Sequence, residues 1–193
     1  ASKTVMYVKH NSRLDIYSNI FDDKLDRNYS LTATDTATIE QGQEYGAIGE
    51  KGIRIGFNSQ SFNGQSAGFM SNNGLDLSKI KNSAAEIRFL MYVPEGLDIS
   101  KLSFAAVRDY NSNFAGKTVR LQAAVSLDRY VKNTGWSFVR IPLKDLPNKG
   151  VFTAKEANIP YEADFNYSKV KELVFVSKIE GAVENTYFMV DEI

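Results

Sequence analysis

The chain has 193 residues, 43% of them hydrophobic and 24% charged, with no cysteine. Its 23 Lys and Arg balance 23 Asp and Glu, so the net charge is zero; that argues against nucleic acid as the main partner and against a strongly electrostatic membrane anchor. Without cysteine there are no disulfides, thiolate metal sites or Cys nucleophiles.

No apolar run approaches the ~18 residues of a membrane span. The length predicts a single domain over 1–193, and the chain, which starts at Ala1, reads as a mature or excised module without a signal peptide.

In chain order, short strands are predicted at Thr4 to Val8, Arg13 to Tyr17, Thr36 to Glu40, Gly52 to Phe57 and Ser66 to Met70. In Glu86 to Val93 the alternation is clear. Ile87, Phe89, Met91 and Val93 share one face, and Glu86, Arg88, Leu90 and Tyr92 the other. Pro94, Glu95 and Gly96 then supply turn chemistry. Further strands are predicted at Leu102 to Arg108, Lys117 to Leu127, Trp136 to Leu143, Lys171 to Lys178 and Thr186 to Glu192. Helix signals amount to single turns at Leu75 to Ile80 and Pro142 to Leu146. The stretches 58–73, 109–116 and 144–164 read as loops, rich in Asn, Gly, Ser or Pro. The prediction is an all-β, two-sheet antiparallel sandwich of about ten strands.

Catalytic motifs are scarce. His10 is the only histidine and reads as a solvated surface residue, which removes Ser–His–acid triads and most zinc sites. Carboxylate groupings occur at Asp22, Asp23 and Asp26, at Glu40 and Glu44, and at Asp191 and Glu192. The first is a mixed-charge loop, and strand neighbours such as Asp191 and Glu192 point to opposite faces. The polar strand faces are more suggestive. Arg88 with Tyr92, Arg108 with Tyr110, and Arg120 with Gln122 combine ring faces with planar hydrogen-bonding groups. Aromatic planes and bidentate polar groups are what a sugar ring requires.

Several segments, in order, resemble a known family. They are Leu14-Asp15-Ile16-Tyr17, Glu50 to Phe57, Ala67-Gly68-Phe69, Leu75 to Lys79 leading into Glu86 to Phe89, Trp136 to Leu143, Phe165 to Phe175 and Phe188 to Ile193. Over about residues 14 to 193 the chain resembles the jelly-roll, galactose-binding-like carbohydrate-binding modules attached to secreted polysaccharide-degrading enzymes. The resemblance implies a jelly-roll fold and non-catalytic binding of a β-glucan or other plant cell-wall glycan in a groove on the concave sheet face. It implies a secreted or cell-surface location and a covalently linked catalytic module. The alternatives are a jelly-roll lyase or glycosidase, and a structural or adhesion domain. Expected ligand-binding residues are Arg88, Tyr92, Arg108, Tyr110, Arg120 and Gln122, with Phe114 and Tyr130 on adjoining loops.

Trp136, the single tryptophan, matches the family's strand-opening Trp and is expected to be structural. Asp191 matches an acidic residue that in many relatives helps hold a structural calcium ion. Here the implied ligands are Asp191, Ser18 and the Lys51 carbonyl. Where the family often has another acid, this chain has Ser18 and Asn19.

Overall fold

The structure is a computed structural model that describes residues 19–34, 36–57, 65–112, 117–154, 159–177 and 186–193. Its strands are β1 (Phe21–Asp22), β2 (Lys24–Leu25), β3 (Tyr29–Ala33), β4 (Thr38–Gly42), β5 (Gly52–Phe57), β6 (Gln65–Leu75) and β7 (Glu86–Val93). They continue with β8 (Leu102–Ser112), β9 (Lys117–Ser126), β10 (Gly135–Pro142), β11 (Lys149–Ala154), β12 (Ile159–Asp164), β13 (Val170–Ser177) and β14 (Thr186–Asp191). β1 and β2 form a small hairpin. The other twelve build two antiparallel sheets, a five-stranded one in the order β10-β7-β14-β5-β4 and a seven-stranded one in the order β12-β11-β9-β8-β13-β6-β3. The predicted all-β jelly-roll sandwich is the fold observed, and the only helical pieces among the described residues are 3-10 turns. The predicted strands at Thr4 to Val8 and Arg13 to Tyr17 lie outside the described residues.

The alternating pattern explains the layering. Period-two apolar residues turn inward from both sheets: Ile53, Ile55, Phe89, Met91, Val139 and Phe188 from one, Phe69, Phe104, Leu121 and Phe175 from the other. Rings join the layers. Phe89 lies 5.4 Å from Phe175, and Phe175 lies 5.1 Å from Phe188. Each such buried side chain contributes about 1.5–3 kcal/mol relative to exposure.

Two strands occupy a stretch the sequence reads as loop. β11 and β12 pair along their whole length at one edge of the larger sheet. Gly150 takes an inward position because a Cβ there would stand 2.6 Å from Leu121 Cγ and 2.9 Å from Phe165. Pro160 lies in an edge strand, where proline is tolerated.

Candidate functional site

A sandwich has two outer faces, and the register shows what each presents. On the seven-stranded sheet, one outer row runs Thr32, Gly68, Val174, Ala105, Ala124 across five neighbouring strands. It is a low floor of short side chains, and Ala105 and Val174 within it are out of reach of solvent. The strands approach closely here. A Cβ on Gly68 would stand 2.4 Å from the Leu173 carbonyl oxygen, so only glycine fits. The neighbouring row is taller: Ser30, Met70, Glu172, Val107, Gln122, Val151, Glu162.

Arg120 organises this face. Its Nη2 donates to the buried Glu172 carboxylate, and its Nη1 donates to Ser66 Oγ at 3.1 Å. Ser66 lies 3.1 Å from Thr34 Oγ1, and its backbone N–H donates to that oxygen at 2.9 Å. One side chain from β9 therefore ties together β13, β6 and the end of β3. At the border, Lys171 pairs with Asp109 at 2.9 Å.

The five-stranded sheet presents a different outer face. Trp136, Tyr92, Met189, Arg54 and Glu40 form one unbroken row. Trp136 is 38% exposed, and its ring centre lies 5.6 Å from that of Tyr92. In the next row stands Phe138, 58% exposed, opposite Leu90. Glu86 accepts from Arg88 Nε at 2.9 Å and from Arg140 Nη2 at 2.8 Å. Burial alone would raise the Glu86 carboxyl, but the bonds from Arg140 and then Arg88 outweigh it and hold it below its ordinary value.

The expected ligand residues thus do not form one groove. Arg120 and Gln122 lie on the outer face of the seven-stranded sheet, Arg88 and Tyr92 on that of the five-stranded sheet, with the core between them. Arg108 and Tyr110 correct the sequence reading outright. They occupy the inward side of β8, opposite Leu121 and Val119, not its polar face. Tyr110 packs against Phe152, and the Arg108 guanidinium lies 5.3 Å from the Tyr110 ring and 5.9 Å from Phe165. Arg108 Nη2 donates to the Asp164 carbonyl at 3.1 Å, while its buried Nε has no partner among the described residues. Tyr130 follows the 3-10 turn Leu127–Arg129 and donates its hydroxyl to Asp145 at 2.9 Å. Burial first and Asp145 second push that hydroxyl up to about 12. Phe114 and His10 lie outside the described residues. Trp136 does sit at a sheet edge, as the resemblance implies, yet its ring is on the surface beside Tyr92 and not in the core.

The sequence reading missed Glu172, Lys171 and Asp109. A register shift between Val170 and Glu172 breaks the alternation there. The available signal was the unbroken run Leu173-Val174-Phe175-Val176, which marks a strand shielded on both faces.

The implied calcium site centres on Asp191. Ser18 lies outside the described residues. Asp191 is 0% exposed and its carboxylate is already occupied: Oδ2 accepts from Ala47 N at 2.8 Å and Ile48 N at 3.0 Å, and Oδ1 accepts from Glu192 N at 2.9 Å. That engages three of its roughly four lone-pair directions. Two further acids are similarly employed. Asp23 accepts from Glu50 N and Lys51 N at 2.6 and 2.7 Å, and Glu40 binds Arg54 at 2.9 Å. Among the described residues no group of three or more His, Cys, Asp or Glu is arranged to hold a metal ion.

Two antiparallel sheets in this order define a jelly-roll β-sandwich. Residues 9–193 match the family model of carbohydrate binding domain 30, and the chain belongs to that family. It is a non-catalytic carbohydrate-binding domain, not an enzyme. No curated protein sequence matches it. The fold is similar to the family 30 module of the Clostridium thermocellum cellulosomal cellulase Cel9D-Cel44B, at 19% identity and TM-score 0.58, covering 91% of this chain and 94% of that one. It is similar also to the family 11 module from Clostridium thermocellum in complex with a β-1,3-1,4-mixed-linked tetrasaccharide, at 11% identity and TM-score 0.53, covering 90% and 91%. A third likeness is to the β-1,2-glucanase from Parabacteroides distasonis, at 14% identity and TM-score 0.55, covering 91% of this chain and 24% of that one.

Proposed function

We propose that the chain binds a β-glucan along the outer face of the seven-stranded sheet, and that it directs a covalently attached catalytic module to that polymer outside the cell. One observation carries the placement. Arg120, partly exposed, is held at this face by Glu172 and Ser66, with Gln122 and the exposed Lys171–Asp109 pair beside it. A neutral chain needs donors and acceptors in alternation, and Gln122, the Lys171–Asp109 pair and Arg120 supply both. Because Arg120 is already anchored, less side-chain entropy is lost when a sugar hydroxyl meets it. The family 11 neighbour was solved with a mixed-linked glucan fragment, which supports a soluble β-glucan as the first ligand to try. Among the described residues no helix is long and apolar enough to cross a membrane.

The test is affinity electrophoresis on gels carrying mixed-linked β-glucan, xylan, mannan or pectin. Wild type is retarded on β-glucan, and the doubly substituted Gln122→Ala/Lys171→Ala protein, which keeps the Arg120–Glu172 pair, loses most of that retardation. Folded wild type that runs freely on every gel defeats the reading. Undiminished retardation of the double variant defeats the placement.

A further inference from the structure

We infer that the opposite face, on the five-stranded sheet, is a second and separate contact surface for the same neutral polysaccharide. This rests on the reading above that the ligand is a glycan.

The argument starts from the row Trp136, Tyr92, Met189, Arg54, Glu40. It crosses four strand spacings, about 19 Å. Its residue types are ordered. Two aromatic rings stand at one end, a thioether in the middle, and a guanidinium–carboxylate pair at the other, joined at 2.9 Å. The pair is held in place. Tyr45 donates to Glu40 at 3.0 Å, and the Arg54 guanidinium lies 4.6 Å from the Tyr187 ring. Phe138 widens the aromatic end, and the Arg88–Glu86–Arg140 cluster borders it.

Large apolar side chains on a soluble surface are usually scattered singly; here Trp136 and Phe138 are exposed on one strand with Tyr92 beside them. A neutral sugar suits this composition. Its C–H faces cover rings, and its hydroxyls both donate and accept, so they use the guanidinium donors and the exposed Glu40 oxygens together. Within the row Arg54 and Glu40 neutralise one another, so an ionic partner gains little by docking there.

Two contact surfaces on opposite faces of one module bind a polymer differently from a short oligosaccharide. Simultaneous engagement of neighbouring chains raises apparent affinity by avidity, with no new contact at either site. A short oligosaccharide gains nothing of the kind.

Trp136 makes the test direct, since it is the only tryptophan. Its fluorescence reports this face and not the other. Titration with mixed-linked β-glucan is expected to shift its emission to the blue and to reduce acrylamide quenching about two-fold. The Gln122→Ala/Lys171→Ala protein keeps both changes. Tyr92→Ala/Phe138→Ala loses them and falls several-fold in apparent affinity for the polymer, while its affinity for a glucan tetrasaccharide changes little. Wild type that is retarded on the gel with silent Trp136 emission overturns the inference and leaves the first site standing. A silent Trp136 in wild type that is not retarded at all removes both. Concentration-dependent dimerisation by sedimentation, abolished in Trp136→Ala, also overturns it, because the face then belongs to a second copy.

Discussion

Asp191→Asn tests how the end of the last strand is held. The native carboxylate is completely buried and accepts three backbone N–H groups, from Ala47, Ile48 and Glu192. Asparagine keeps the shape but loses the charge and turns one acceptor into a donor. If its carbonyl takes the Oδ2 place, the bonds from Ala47 and Ile48 weaken from charge-assisted to neutral, a loss of about 2 kcal/mol together. The Glu192 N–H then faces an NH₂ group, which costs a further 1–2 kcal/mol or so. The sum, about 3–4 kcal/mol, corresponds for a chain of this size to a fall in melting temperature of roughly 6–16 °C. The assay is thermal unfolding of both proteins at pH 6, with and without excess EDTA. The expected result is a large drop for the variant and no effect of chelator on wild type. A variant as stable as wild type refutes the amide-held anion. So does a chelator-induced drop in wild type that the variant does not show, since that is the behaviour of a calcium ligand.

Two further outcomes follow from the core and from Glu192. Gly150→Ala should cost about 1–3 kcal/mol by overpacking against Leu121 and Phe165, with gel retardation unchanged; urea midpoints within error of wild type would contradict the packing argument. Glu192 is raised from 4.5 to about 7, by burial first and then by Asp22 and Asp191. Between these values the unfolded chain has released the proton that the folded chain retains. Stability therefore falls as pH rises through this window and levels off above it. After screening at a half-exposed site the effect is on the order of 1 kcal/mol. Urea unfolding from pH 4.5 to 8 should show that slope in wild type and not in Glu192→Gln; identical profiles would rule the titration out.

The strands whose faces differ in polarity could be read from the sequence. β5 was found to the residue, and β7 with its inward set Ile87, Phe89, Met91, Val93 emerged from alternation alone. β11 and β12 were lost because their deviations from the pattern have tertiary causes: Gly150 makes room for Leu121, and Pro160 needs a free edge. As strand neighbours, Asp191 and Glu192 belong on opposite faces. The strand ends at Asp191, however, and Glu192 takes φ 53°, which brings its carboxyl under the influence of both Asp191 and Asp22. Arg108 departs from the simple alternation because an arginine can sit on the inward side when its guanidinium lies over aromatic rings.

The division of the site has a more general cause. Alternation tells which residues of one strand share a face, but it carries no information about which strands share a sheet. β7 and β9 are separated in the chain only by β8, yet they belong to different sheets, so Tyr92 and Arg120 stand on opposite sides of the core. Cross-strand rows are a property of register. Thr32-Gly68-Val174-Ala105-Ala124 and Trp136-Tyr92-Met189-Arg54-Glu40 each draw one residue from each of five strands. Neither row is a motif in the linear sequence. A ligand lying across strands, as a polysaccharide would here, reads that transverse order, which exists only once the sheets have formed.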